Sequence, residues 1–272
     1  MLAFIPSPSD GAIHLGPLQL RAYGLMIALG VVAAVKFASA RWERRGGDPD
    51  DLVAVATIAV PAGLVGARLY HVVTDHQRFE GRWLHAFAIW EGGLGIWGGV
   101  ALGALAGWLV ARRRGCDATL MLDVCAPAIP LAQAIGRWGN WFNQELFGRP
   151  TDLPWAVEID PSHRPDAYAT SATFHPTFLY ECLWNLVVVG IVLWVERRFR
   201  LRPGGLFAVY VAAYSFGRFW TELLRIDDAH HILGLRLNDW TSIVLFLVGL
   251  AVVWSRRTRR DAPVEVEVEL DR

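Results

Sequence analysis

Long apolar stretches dominate this chain of 272 residues. A hydrocarbon core about 30 Å thick requires about 20 mostly apolar residues in a helix, because only helices and closed barrels satisfy every backbone amide in lipid. Stretches that meet this requirement lie at about 20–40, 52–74, 89–111, 120–138, 177–196, 204–225 and 239–255. The sequence therefore predicts an all-α polytopic membrane protein with seven transmembrane helices.

The composition agrees with a membrane protein and argues against an ordinary soluble enzyme. Apolar residues make up 54% of the chain and charged residues 19%, against roughly 45–50% and 25% in soluble domains. Basic and acidic residues number 26 each, so the chain lacks the positive excess that binds a phosphate backbone. We therefore expect membrane lipid, and no nucleic acid, among its partners.

The distribution of arginine predicts the orientation of the helices. Three or four arginines flank each helix end near residues 41–45, 112–114, 197–202 and 256–260, whereas the opposite loops hold one or two each. Arginine-rich short loops are typically cytoplasmic. We therefore predict an extracytoplasmic N-terminus, a cytoplasmic C-terminus and one membrane domain over residues 1–260. Residues 139–173 would form a small extracytoplasmic head, and 261–272 a disordered cytoplasmic tail.

The glycines at the start of the third stretch resemble a nucleotide-binding motif only superficially. Gly93, Gly95 and Gly98 have GxGxxG spacing, but they begin a membrane helix rather than connect a strand to a helix, as that motif requires. A spacing of four residues predicts instead one glycine face that packs closely against another helix. That face consists of Gly95, Gly99, Gly103 and Gly107.

Metal-binding and disulfide patterns do not occur in the sequence. The chain has three cysteines, no CxxC, no HExxH and no cysteine–histidine group with the spacing of a zinc site. We therefore expect neither a metal nor a cofactor.

Ionisable residues within the sixth stretch point to function. Tyr214, Arg218, Glu222 and Arg225 follow one another at offsets that lie within one helix face. A mid-membrane arginine or aspartate costs about 2.5–3.5 kcal/mol, so a compensating interaction is expected. The alternative is a structural ion pair between Arg218 and Glu222 that only joins helices.

The end of the fourth stretch has the densest polar pattern. Residues 136–148, with the sequence GRWGNWFNQELFG, combine glycines with Arg137, Asn140, Asn143 and Glu145 amid aromatic residues. The aromatic residues suit headgroup depth, and the planar guanidinium of arginine binds phosphate with charge-assisted hydrogen bonds. We interpret this segment as a lipid headgroup site. A capped helix end with a structural turn would explain its glycines, but not its many polar side chains.

Residues 136–148 resemble the GRxGNxxNxExxG signature of the prolipoprotein diacylglyceryl transferase family. Further similarity is spread over roughly residues 15–255. It includes RAYGLM at 21–26, residues 63–68, EGGL at 91–94, HPTFLYE at 175–181 and GRFWTELLR at 217–225.

The resemblance implies an enzyme of the bacterial cytoplasmic membrane that takes the diacylglyceryl group from phosphatidylglycerol. The acceptor would be the lipobox cysteine thiol in the signal peptide of a preprolipoprotein. The products would be a thioether and glycerol phosphate, in the first step of bacterial lipoprotein maturation.

The family's functional residues fall on identifiable positions of this chain. The resemblance implies that Arg137 contacts phosphatidylglycerol, that Arg218 is the second required arginine and that Tyr23 is the essential tyrosine. The other predicted site residues are Asn140, Asn143, Glu145, Gly148, His175, Tyr214, Glu222 and Arg225.

Two positions depart from the family pattern. Trp97 stands where many members have a histidine, and Asp239 stands where many have a glutamine. A mechanism that uses that histidine as the general base cannot operate here.

We hypothesise that Arg137 binds the phosphate and that Arg218, oriented by Glu222, stabilises the charge that develops on the leaving group. The proton acceptor stays open among Glu145, Tyr23 and His175. A lipid flippase or transporter, or a non-catalytic membrane scaffold, would use the same arginines without covalent chemistry.

Overall fold

The computed structural model describes residues 4–15, 18–88, 93, 95–227, 229 and 231–257. Most of this part is helical. Its α-helices are α1 (Ala22–Glu43), α2 (Pro49–Thr74), α3 (Ile96–Arg113), α4 (Ala118–Cys125), α5 (Ala128–Phe142), α6 (Thr177–Arg198), α7 (Gly205–Glu222) and α8 (Leu237–Arg256). Three antiparallel pairs of strands join β1 (Ala12–Leu15) to β2 (Leu18–Arg21), β3 (Val157–Glu158) to β4 (Thr173–Phe174) and β5 (His231–Ile232) to β6 (Leu235–Arg236).

Every one of the seven predicted stretches contains helix, but not every helix meets the criteria for a membrane span. Within the described residues, α1, α2, α6 and α8 are long and apolar enough, and the bent pair of α4 and α5 makes a fifth candidate. The remaining helices, α3 and α7, have 18 residues each and do not qualify. The structure supports a multi-pass membrane protein, whereas seven spans and the side on which each end lies remain predictions.

The fourth predicted stretch, 120–138, is not one continuous helix. It divides into α4 and α5, which meet at an angle of 45°, at a break that includes Pro127, a residue without an amide hydrogen for the helical ladder. Asp123 in α4 accepts hydrogen bonds from the backbone amides of Gly204 and Phe207, both at 2.8 Å. The carboxylate thereby satisfies free amides in the first turn of α7 and connects this helix to the break.

The third and sixth predicted stretches also need corrected boundaries. Helix α3 begins at Ile96 rather than near residue 89, and residues 89–92 lie outside the described part of the chain. Helix α7 ends at Glu222. The prediction that Arg225 continues one face of this helix was therefore wrong. Arg225 instead forms an isolated antiparallel bridge with Gly148.

The predicted glycine face on α3 is confirmed. A Cβ atom on Gly99 would lie 3.3 Å from the carbonyl oxygen of Gly63, and one on Gly103 would lie 3.2 Å from that of Ala59. Likewise, a Cβ on Gly95 would lie 2.2 Å from Tyr70. The backbones of α2 and α3 therefore approach closely along this face, as in small-residue helix packing.

The other helices pack in a chain that brings the ends of α5, α6 and α7 together. Helix α1 packs against α2 and α5, α5 against α6, α6 against α7, and α7 against α8. At Gly30, an added Cβ would lie 2.8 Å from the carbonyl oxygen of Ala132, which shows the close approach of α1 and α5. The C-terminal end of α5 thus lies beside the N-terminal end of α6 and the C-terminal end of α7.

The segment predicted as an extracytoplasmic head, 139–173, begins inside α5, because that helix continues to Phe142. Strand β3 lies between β4 and the N-terminal segment, where Ile5 forms a parallel bridge with Val157. A small apolar core under this region consists of Phe147, Val157, Ile159, Phe174 and Phe178. Its position outside the membrane stays a prediction, and the predicted tail, 261–272, lies outside the described residues.

Candidate functional site

Arg137 and Arg218, which come from α5 and α7, meet at one carboxylate. Nη2 of Arg137 contacts Oε2 of Glu181 on α6, and Nη1 of Arg218 lies 3.4 Å from both oxygens of that carboxylate. The side chains of Arg137 and Arg218 keep 19% and 16% exposure, against 6% for Glu181. Two partly accessible guanidiniums therefore point to the same place, which suits an anionic ligand.

Glu222 holds Arg218 from the side opposite to Glu181. Its Oε2 contacts Nη2 of Arg218, its Oε1 lies 3.0 Å from Nε of Arg236, and Nδ2 of Asn238 donates to Oε1 at 3.0 Å. The side chain of Glu222 is completely buried. Because a buried charge without partners is very costly, these contacts fix Glu222, and Glu222 in turn fixes the guanidinium of Arg218.

Asp227 extends this network beyond α7. It accepts from Nε of Arg225 at 2.7 Å and from Nη2 of Arg236 at 2.8 Å. Burial opposes ionisation of Asp227, but the two neighbouring guanidiniums outweigh it and keep the pKa of this carboxyl below its usual value. Nη1 of Arg225 also lies 3.8 Å from Glu222.

The signature segment, residues 137–148, forms a relay of hydrogen bonds. Nη1 of Arg137 donates to Oδ1 of Asn140 at 3.3 Å, and Nδ2 of Asn140 donates to Oε1 of Glu145 at 2.8 Å. Asn143 donates to the same Glu145 oxygen at 3.3 Å. Glu145, one of the three candidates for the proton acceptor, is exposed. Its contacts are those of a residue that holds the loop.

Gly148 lies where larger residues do not fit. Its amide donates to the carbonyl oxygen of His175 at 2.9 Å. An added Cβ would lie 2.9 Å from Cβ of His175 and 3.0 Å from the carbonyl oxygen of Leu224. Close approach, rather than a positive φ angle, therefore requires glycine here, and the contact connects the signature segment to the start of α6 and the end of α7.

Tyr23 lies at the start of α1 and packs on the signature segment. An added Cβ on Gly139 would lie 2.6 Å from Cδ2 of Tyr23. The tyrosine is 37% exposed, and it is close enough to Arg137 and Glu145 for electrostatic interactions with both. The predicted tyrosine is thus part of the same cluster.

His175 lies at the edge of the site rather than at the meeting point of the arginines. Its Nδ1 is 3.1 Å from the hydroxyl oxygen of Tyr180, which accepts from Nε1 of Trp155 at 2.9 Å. Burial, with a smaller contribution from Arg149, lowers the pKa of His175 below its ordinary value. The imidazole is therefore mainly neutral at pH 7 and can accept a proton only weakly.

Tyr214 borders a small cavity beside the arginines. The cavity has a volume of about 10 Å³ and is lined by Glu181, Trp184, Asn185, Tyr214, Gly217, Arg218 and Thr221. This is about the space that one water molecule needs. Oδ1 of Asn185 is buried and has no hydrogen-bond partner among the described residues, so the lining offers a free acceptor.

Comparison with known proteins decides the family. The sequence model of the family described as prolipoprotein diacylglyceryl transferase matches residues 10–255. The chain belongs to the prolipoprotein diacylglyceryl transferase family. It is 57% identical to phosphatidylglycerol–prolipoprotein diacylglyceryl transferase 1 of Streptomyces coelicolor, with 98% of this chain and 79% of that protein covered.

Other organisms have similar members of this transferase family. The chain is 55% identical to phosphatidylglycerol–prolipoprotein diacylglyceryl transferase of Cutibacterium acnes, with 93% of this chain and 87% of that protein covered. It is 46% identical to the protein of the same name from Rhodococcus jostii, with 98% and 78% covered. The similarity extends over the whole helical domain.

The two departures from the family pattern lie in different surroundings. Trp97, at the first turn of α3, is 49% exposed. Asp239 is 1% exposed, and its Oδ2 accepts a hydrogen bond from the backbone amide of Arg236 at 3.0 Å. Asp239 therefore caps the start of α8 and holds Arg236 in place beside Glu222.

Several residues of the network were not predicted from the sequence. Glu181 ends the HPTFLYE motif and lies within a predicted span. The energetic cost of a charge within the membrane, which indicated Arg218, therefore indicates Glu181 as well. Asp227 and Arg236 come from the connection between α7 and α8, and Asn238 comes from the first turn of α8, where neither spacing nor hydropathy distinguishes them. Among the described residues, no three histidine, cysteine, aspartate or glutamate side chains are grouped as a metal site requires.

Proposed function

We propose that this chain transfers the diacylglyceryl group of phosphatidylglycerol to the cysteine thiol of a lipobox and releases glycerol phosphate. The protein belongs to a family of transferases with this activity. The observation that carries the proposal is the convergence of Arg137 and Arg218 on one point between α5, α6 and α7. Two guanidiniums that face one anion-sized point are suited to a phosphodiester.

The reaction replaces a carbon–oxygen bond by a carbon–sulfur bond. Negative charge builds up on the phosphate oxygen as that bond breaks, and preorganised cations stabilise it without further rearrangement. Arg137 would bind the phosphate in the ground state. Arg218, held by the buried Glu222, would stabilise the leaving group. Burial of this pair also keeps water away from the reacting carbon.

The remaining predicted residues would shape the headgroup site around these arginines. Asn140 orients Arg137 and is itself held by Glu145. Gly148 and His175 place the signature segment against α6. Asn143, Tyr214 and Arg225 would complete the binding surface for phosphatidylglycerol, with Tyr23 closing it from α1.

The site would face the outer surface of the bacterial cytoplasmic membrane, with the N-terminus outside and the C-terminus inside. The arginine-rich helix ends support this orientation. The peptide substrate would then approach from the outer side, over residues 1–19, 75–88 and 152–173. Labelling of single cysteines placed at Ser7 and Arg197 with a membrane-impermeant reagent tests the orientation, because only the first is expected to react in intact cells.

A flippase or transporter is the alternative. Such proteins typically have paired broken helices in two related halves, whereas the described residues contain one bent pair, α4 with α5. Purified protein with labelled phosphatidylglycerol and a lipobox peptide separates the two functions. We expect label on the peptide thiol and none on a peptide with serine in place of the cysteine. Movement of lipid between leaflets without covalent label would support the alternative.

A further inference from the structure

Glu181 occupies the point where the proposed function places the phosphate. It lies between Arg137 and Arg218, and it contacts both. A phosphodiester that binds to the two guanidiniums must therefore compete with this carboxylate. Glu181 holds Arg218 only at 3.4 Å, a long distance for a charge-assisted hydrogen bond, whereas its contact with Arg137 is close. Nη1 of Arg218 is therefore the donor that a phosphate can take over most readily.

The charged groups around the site form one connected cluster. The cluster contains the arginines Arg137, Arg218, Arg225 and Arg236 and the carboxyl groups Glu181, Glu222, Asp227 and Asp239. A phosphodiester adds one negative charge. The reaction adds a second negative charge when glycerol phosphate leaves, and an additional unpaired charge in a buried setting is very costly. A carboxyl group that takes up the thiol proton as the leaving group forms keeps the total charge of the site unchanged in this step.

Glu181 is the carboxyl group best placed to receive that proton. The side chain of Glu222 is completely buried and contacts several partners. Asp227 accepts two hydrogen bonds shorter than 3 Å. In the described part of the chain, the ion pairs of Glu181 include both Arg137 and Arg218, whereas those of Glu222 and Asp227 include at most one of the two. Asp239 accepts its hydrogen bond from the backbone amide of Arg236. The charged and titratable groups that face Glu181 are Arg137 from α5 and Arg218 and Tyr214 from α7.

We propose that Glu181 is the proton acceptor of the transfer reaction, an inference that rests on the proposed function. The lipobox thiol gives its proton to a carboxylate oxygen of Glu181 while its sulfur bonds to the terminal glyceryl carbon. The bond from that carbon to the phosphate oxygen breaks, and its electron pair leaves with glycerol phosphate. Glu181 becomes neutral as the leaving group gains one negative charge, so the total charge of the site is constant.

The variant Glu181→Gln tests this role. It keeps the shape of the side chain but cannot accept the proton, and it no longer competes as an anion for the arginines. We expect kcat at pH 7 to fall at least 100-fold, as for loss of a general base, while KM for phosphatidylglycerol stays equal or falls. Between pH 7 and 9 the variant should recover activity tenfold or more relative to wild type, because the free thiol ionises with a pKa of about 8.5.

A merely structural role predicts a different result, namely a raised KM and no recovery at high pH. A kcat within threefold of wild type, or a raised KM without recovery, would overturn the proposal. Glu43→Gln, at an exposed position at the far end of α1, is the matched control and should behave as wild type. Wild-type protein that does not label the peptide would contradict the proposed function itself, which separates the two failures.

The variant Glu181→Asp provides the test if the glutamine variant does not fold. It keeps the charge and the ion pairs but withdraws the carboxylate by one methylene group. Because a displacement of about 1 Å of a reacting group costs up to 100-fold in rate, we expect kcat to fall at least tenfold with KM unchanged within threefold. A kcat equal to wild type would show that no proton transfer depends on this carboxylate.

Discussion

Two arginines, Arg41 of α1 and Arg218 of α7, contact α6 near its opposite ends, and their surroundings differ in a way that separates structure from function. Helices α1 and α6 carry Tyr23 and Glu181 near one end and Arg41 and Glu196 near the other. At the far end, Arg41 forms two parallel hydrogen bonds of 2.9 Å with Glu196, and its Nε donates to the carbonyl oxygen of Val124 at 3.0 Å. Each of the three nitrogens of that guanidinium therefore has a hydrogen-bond partner.

Arg218 presents the contrasting arrangement. It is held closely by Glu222, but its other contact is Glu181 at 3.4 Å, which is shared with Arg137. A closed bidentate pair such as Arg41 with Glu196 fixes two helices and leaves no nitrogen of the guanidinium without a hydrogen-bond partner. Arg218 is fixed by Glu222 at one terminal nitrogen and held more loosely by Glu181 at the other. It is therefore preorganised and available to bind a ligand. The sequence shows arginines at both ends, and only the contacts tell them apart.

The largest effect in this comparison is expected for Glu222→Gln. This change leaves Arg218 and Arg236 without their buried anion, and removal of one partner from a buried ion pair typically costs about 3–5 kcal/mol. We expect the thermal midpoint in detergent to fall markedly, and turnover of the folded fraction to fall at least 100-fold. Calorimetry and the peptide-labelling assay on the same preparation measure both effects. Normal turnover would show that Glu222 does not orient Arg218.

Glu196→Gln is the matching change at the far end. Arg41 and Arg45 both contact Glu196, so we expect a loss of about 1–3 kcal/mol in the free energy of unfolding, as for an unsatisfied buried partner. Turnover per folded molecule and KM for phosphatidylglycerol should be unchanged, because no ligand site depends on this pair. A tenfold loss of turnover, corrected for the folded fraction, would contradict the purely structural role of the pair of Arg41 and Glu196.

Gly148→Ala is expected to lower turnover about tenfold. The new Cβ would meet His175 and the backbone of Leu224 at 3.0 Å or less, so the signature segment must shift relative to α6 and α7. The control is Gly190→Ala in the middle of α6, where an added Cβ meets nothing within 4 Å. It should stabilise the helix by about 0.5–1 kcal/mol without changing turnover. Equal effects of the two substitutions would contradict the packing role of Gly148.

The smallest effect concerns pH and His175. Because the folded protein lowers the pKa of this histidine, the unfolded chain binds a proton more readily between the ordinary pKa near 6.5 and the lowered one. Stability should therefore fall as the pH drops below about 6.5, and His175→Gln should remove this part of the loss. Thermal midpoints of both proteins at pH 5 and 7 measure the difference. A larger loss in the variant would reverse the sign and contradict the account.

Periodicity and hydropathy predicted the helices and the glycine face of α3, because both depend on local spacing. They did not predict the break of the fourth stretch. Pro61 lies inside the continuous helix α2, whereas Pro127 marks a bend of 45°. The difference depends on tertiary contacts, such as those of Asp123 with the start of α7, and a local sequence pattern does not contain them.

The site was partly predictable for a similar reason. The cost of charge in a membrane identified Arg137 and Arg218, and the family resemblance added Tyr23 and Gly148. Helix α7 ends at Glu222, and Arg236, in the strand before α8, contacts the carboxylate of Glu222. Both features depend on the way the chain turns between the two helices. Residues that act across such a turn have no spacing rule in the sequence.

The most direct test of the account is the activity of Arg137→Lys, Arg218→Lys and the double variant with phosphatidylglycerol and a lipobox peptide. Lysine keeps the charge but loses the planar fork, so each single change should lower kcat/KM roughly 10–150-fold, the range for one charge-assisted hydrogen bond. Because both groups would act on one phosphate, the combined loss should be smaller than the product of the single losses. Near-normal turnover of both single variants would contradict the central claim that the two arginines converge on the lipid phosphate.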